Sequence, residues 1–124
     1  MIVLDSSAII TFLEGGQQAE RLNERLAREP AAISAITVHE VGVGLRGDEA
    51  RAFDAFLQSV HVLPIDLDVA RKSILVEQKL ERKGRLIGKL DILIAATCLV
   101  HNLPLLTLDR DFREVQDLRL VDIK

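Results

Sequence analysis

The chain has 124 residues, 48% of them hydrophobic and 28% charged, which fits a single domain over residues 1–124 and excludes a disordered chain. With 16 Lys+Arg against 19 Asp+Glu and a formal net charge of −3, the protein does not hold nucleic acid by overall positive charge, so any phosphate contact has to be local. No Trp, no Tyr and only four Phe leave little material for a base-stacking platform.

Met1 to Leu4 is a short apolar run with β-branched residues and predicts a buried strand. Asp5, Ser6 and Ser7 offer N-cap chemistry for a short helix from Ala8 to Glu14, which Gly15-Gly16 stops. Gln17 to Glu29 carries Ala19, Leu22 and Leu26 at helical spacing and ends at Pro30. Ala31 to Ser34 predicts a second strand. Thr37 to Arg46 predicts a helix opened by a capping box of Thr37 and Glu40, and Asp48 to Ser59 continues helical. His61 to Ile65 predicts a third strand whose proline suits an edge or a strand end. Asp66 opens a long helix to about Lys83, with Gly84 after it. Leu90 to His101 is apolar nearly all round and predicts a buried central helix ended by Asn102 and Pro104. Leu105 to Leu108 and Arg119 to Asp122 complete the strands, with a short helix between them. Alternation of this kind predicts an α/β fold: a mainly parallel central sheet of four or five short strands flanked by helices on both faces.

In such a sheet the ligand crevice lies beyond the strand carboxyl ends. Asp5 follows strand one. Glu40 falls in the first turn of the helix after strand two, Asp91 in the first turn of the buried helix, and Asp109 and Asp111 after strand four. Each acid alone has a local use: Asp5 as an N-cap, Glu40 in the capping box, Asp91 against a helix dipole, Asp109 at a turn. Together they are costly, since two carboxylates about 4 Å apart repel by roughly 4 kcal/mol at an effective dielectric near 20. A balancing cation removes that cost, and an all-oxygen site suits Mg²⁺ or Mn²⁺. Phosphodiester hydrolysis by metal-activated water is the chemistry such a site supports best.

Other sites find no support. His39, His61 and His101 lack metal-ligand spacing, and there is no cysteine pair, Walker A loop, G-x-G-x-x-G or G-x-S-x-G. The one cysteine, Cys98, lies in an apolar run and reads as a packed side chain in a reducing compartment. Lacking a basic leader and an apolar run of bilayer length, the sequence predicts a cytoplasmic protein with no membrane partner.

Four segments in order carry a family resemblance: Ile2-Val3-Leu4-Asp5-Ser6-Ser7-Ala8, Thr37-Val38-His39-Glu40-Val41, Lys89-Leu90-Asp91-Ile92-Leu93-Ile94-Ala95-Ala96 and Leu106-Thr107-Leu108-Asp109-Arg110-Asp111-Phe112. Across essentially its whole length the chain resembles PIN-domain ribonucleases of the VapC toxin type. The resemblance implies a Mg²⁺- or Mn²⁺-dependent endoribonuclease, a homodimer, acting on RNA and paired with a small VapB-like antitoxin. By the same resemblance Asp5 and Asp91 hold the metal, and Glu40 binds it through water or orients the attacking water. Asp109 is the fourth acid, with Asp111 as a substitute, and Ser6 and Thr107 hydrogen-bond the acids from behind.

Lys79, Arg82, Lys83, Arg85 and Lys89 lie just before Asp91 in sequence. Arg82, Arg85 and Lys89 are candidate contacts for a phosphate backbone, although cations at a helix C-terminus have a structural use of their own. Two rival readings stand beside the nuclease. One is a non-catalytic or housekeeping PIN-like module that binds or processes nucleic acid. The other is a phosphohydrolase with Asp5 as nucleophile, for which Ser7 stands where a second aspartate is wanted.

Overall fold

Strands of two to four residues survive here because both faces of the sheet are covered. The computed structural model describes residues 1–123. In chain order the elements are β1 (Ile2–Leu4), α1 (Ser6–Glu14), α2 (Gln17–Arg28), β2 (Ala31–Ser34), α3 (Ala35–Gly42), α4 (Gly47–Leu57), β3 (His61–Leu63), α5 (Leu67–Arg82), α6 (Lys89–His101) and β4 (Leu105–Leu106). A 3₁₀ helix (Arg110–Glu114) and β5 (Leu120–Val121) follow. The strands form one sheet in the order β3-β2-β1-β4-β5, and every pairing is parallel.

Alternation along β1 divides the core. Val3 joins Ala32 and Leu105 under Val76 and Leu80 of α5 and Ile92, Ile94, Ala95 and Cys98 of α6. Ile2 and Leu4 join Ile33 and Leu106 on the other side, against Ala8 and Ile9 of α1, Leu22 of α2 and Phe53 of α4. Helix α6 is buried over Ile92 and Ile94–Cys98, as its mostly apolar sequence requires. Asn102 ends it in the left-handed region at φ 53, a conformation asparagine tolerates, with its N–H returned to carbonyls of the last turn. No helix is long and apolar enough to cross a membrane among the described residues.

The chain runs from β1 outward through β2 to β3, then returns to the other side of β1 as β4 and β5. The order therefore reverses between β1 and β4, and in open α/β sheets the carboxyl ends of the strands at such a reversal are where ligands bind. Several expectations need correction near it. Helix α3 begins at Ala35, not Thr37, because Ser34 is its cap: the Ser34 hydroxyl accepts from the Ile36 N–H at 3.1 Å. Thr37 and Glu40 form no capping box, and Glu40 lies in the second turn rather than the first. The third and fourth strands also stop early, at Leu63 and Leu106. β3 is an edge strand ending before Pro64, and after β4 the chain turns into hydrogen bonds with the site.

Candidate active site

Asp5 leaves β1 in extended conformation (φ −89, ψ −179) and caps α1. Its Oδ1 accepts from the Ala8 N–H at 3.0 Å and from the Ser7 hydroxyl at 2.7 Å, while its Oδ2 accepts from the Thr107 hydroxyl. The residue is almost fully buried. Burial pushes its carboxyl above the usual carboxylate range and the charge of Asp109 adds to that, against the three hydrogen bonds, which pull it down.

Thr107 and Ser7 tie β4 to β1. Their hydroxyl oxygens lie 3.3 Å apart, the Leu108 N–H donates to Ser7 Oγ at 3.0 Å, and the Asp109 N–H donates to Thr107 Oγ1 at 3.0 Å. Asp109 in turn accepts from the Asp111 N–H at 2.9 Å and so caps the 3₁₀ helix. Glu40 is held from α1: the Ser6 hydroxyl donates to its Oε1 at 2.6 Å. The sequence marks Ser6 and Thr107 as supports for the acids, and both make such bonds. Ser7, read there only as cap chemistry, is the residue it underrates. The signal was its place two residues after an N-cap aspartate, from which a hydroxyl can reach back to the carboxylate.

Asp91, on the first turn of α6, stands where these acids converge. Its carboxyl is raised to about 6, first by burial and then by the charges of Asp109, Glu40, Asp5 and Asp111. The other four predicted acids therefore all bear on Asp91. Asp91, Asp109 and Asp111 each offer an oxygen within 4.8 Å of the others. Asp5 is outside that closest trio, and its two oxygens already accept three hydrogen bonds. The sequence left open whether Asp109 or Asp111 is the fourth acid, and the fold brings both to Asp91.

The basic run disperses. Lys89 Nζ pairs with Glu77 Oε2 of α5 at 2.5 Å. Lys83 donates to the Glu114 carbonyl at 2.9 Å, and with Lys79 and Arg82 it borders a separate groove between α5, the end of α6 and residues 114–117. Arg85 is exposed on the loop between α5 and α6.

The PIN domain family model matches residues 2–118. The chain is 34% identical to ribonuclease VapC10 of Mycobacterium tuberculosis over 110 residues, covering 88% of this chain and 83% of that protein. It is also 34% identical to ribonuclease VapC5 of the same species over 128 aligned positions, covering 98% and 92%. Its backbone superposes on a chain of a toxin–antitoxin complex from Klebsiella pneumoniae with a TM-score of 0.82 at 26% identity, over 100% of this chain and 98% of that one.

Proposed function

The chain belongs to the PIN domain family, and from that premise we propose that it is a divalent-metal-dependent endoribonuclease, the toxin of a toxin–antitoxin pair. Convergence carries this reading: five carboxylates from four separate segments meet around Asp91, which a stable domain has no structural reason to assemble. The names of the VapC10 and VapC5 ribonucleases support RNA as the substrate. The Klebsiella complex supports an antitoxin protein as partner.

The donor set suits Mg²⁺ or Mn²⁺. It is all oxygen, the donor type these hard ions take, and Asp91, Asp109 and Asp111 each offer an oxygen within 4.8 Å of the others. Asp91, Asp5 and Asp109 or Asp111 would hold the ion, which when bound supplies a polarised water and neutralises charge on the phosphate.

Each acid has a separate task. Asp5 anchors the site through Ala8, Ser7 and Thr107 and keeps the lone pair of Oδ2 that Thr107 leaves free for the ion. Asp91 is ionised at neutral pH, so it is available as a ligand there and loses that availability to a proton below about pH 6. Ser6 fixes Glu40 by one oxygen, leaving the other to orient a water for attack on phosphorus and to take its proton. Asp109 and Asp111 share one rigid turn, locked by their own hydrogen bond.

The test is cleavage of RNA with Mn²⁺ and with EDTA, for the wild type and Asp91→Asn. Cleavage by the wild type with Mn²⁺ alone is expected. Cutting by Asp91→Asn at the wild-type rate would sink the assignment, and undiminished cutting in EDTA would sink the metal.

A further inference from the structure

A polyanion approaching five carboxylates needs cations that are free to meet it, and the residues beyond Asp109 provide two. The 3₁₀ helix Arg110–Glu114 advances three residues per turn, so Arg110 and Arg113 fall on the same side, one above the other. Phe112 is 1% exposed and pins that helix into the core. Both arginines are exposed, and among the described residues neither takes part in an ion pair or a side-chain hydrogen bond. Both line a cleft of about 420 Å³ that also touches Gln18 at the start of α2, Asp122 after β5, and Thr107 and Asp109. Thr107 and Asp109 belong equally to the acid cluster, so the cleft and the cluster share a wall.

We propose that this cleft is a phosphate subsite, in which Arg110 and Arg113 grip the RNA strand one or more nucleotides from the scissile bond. The proposal rests on the nuclease reading of the acid cluster. Guanidinium forks suit phosphate because they donate two parallel hydrogen bonds and stay charged at every working pH. Their position on the turn that carries Asp109 and Asp111 fixes the distance between the grip and the cut. Asp122, also in the lining, offsets part of the cleft's positive charge, so both arginines are needed to hold a strand. Arg110 and Arg113 are positioning residues here, acting on the strand rather than on the reacting phosphorus. The sequence rim of Arg82, Arg85 and Lys89 is the competing location, and Lys89 is already engaged by Glu77.

Binding of a fluorescein-labelled, mixed-sequence single-stranded RNA to the Asp91→Asn protein, followed by anisotropy across a salt series, tests the subsite. With each single-strand phosphate contact contributing about 0.7 to the slope of log K against log salt, adding Arg110→Ala/Arg113→Ala should lower that slope by about 1.4. On the otherwise wild-type protein with Mn²⁺, the same pair should raise KM about tenfold or more and leave kcat within a factor of about two to three. Arg110→Lys/Arg113→Lys should restore the slope while recovering only part of KM, since lysine keeps the charge without the fork. An unchanged slope and KM in the alanine pair, or the loss appearing in Arg82→Ala/Arg85→Ala instead, overturns the subsite and leaves the nuclease standing. A wild type that cuts no RNA with Mn²⁺ overturns the nuclease reading and the subsite with it.

Discussion

Asp91 and Cys98 lie about two turns apart on α6, and burial is the first cause of a raised pKa in both, to about 6 and about 12. The outcomes are opposite. Raising a thiol keeps it neutral, the state an apolar core accepts, and Cys98 packs among Val3, Ala95 and Leu105 at no electrostatic cost. Raising a carboxyl only to about 6 leaves it charged at neutral pH beside four other acids. One helix thus has an end satisfied by packing and an end that only a counter-charge satisfies. On the proposed nuclease reading, stability resides at the first and chemistry at the second.

That contrast can be broken from either end. The largest effect belongs to the site: Asp91→Asn should lower RNA cleavage by roughly a thousandfold, about 4 kcal/mol of transition-state stabilisation, with an unchanged circular dichroism spectrum. From the core end, Ile94→Ala removes a fully buried side chain. It should cost about 3 kcal/mol and lower Tm by roughly 10 °C, equally with and without metal. A loss confined to the metal-loaded protein would show that the two ends are not separable.

Metal sharpens the comparison. Mn²⁺ at a hundredfold excess over Kd should stabilise the wild type by about 2.7 kcal/mol in a thermal melt, and Asp91→Asn should lose most of that shift. No shift at millimolar Mn²⁺ would count against the ion.

The smallest effect is a pH signature in metal-free protein. A carboxyl at about 6 in the fold and near 3.8 when unfolded binds its proton more tightly in the folded state. Stability therefore falls as pH rises through that window, and the cost is fully present above about pH 6. Asp91→Asn should be more stable than wild type by about 1 kcal/mol at pH 7.5, after allowance for solvent screening, and indistinguishable from it near pH 4. Equal melting at pH 7.5 would mean that the other four acids do not strain Asp91.

Much of this architecture is legible in the chain because local rules and tertiary needs agree. The apolar runs at Ile2–Leu4 and Ala31–Ser34, the Asp66 cap and the largely apolar α6 each say the same thing at both levels. The capping box at Thr37 fails because two residue patterns competed for one helix start. Ser34, at the end of a strand, caps one turn earlier and carries Thr37 into the buried interior. Hydrophobic periodicity and parallel order were enough to place Asp5, Asp91, Asp109 and Asp111 at strand ends and helix starts, while Glu40 was set one turn too early. The three-dimensional fold was needed to show that both Asp109 and Asp111 reach Asp91, that Ser7 bridges β1 to β4, and that among the described residues Arg110 and Arg113 carry no ion pair. Those facts depend on distances between separate segments, from the loop after β4 back to α6 and, for the Ser7–Thr107 pair, across 100 residues. Sheet register and the pitch of a single 3₁₀ turn set such distances, and no local pattern encodes them.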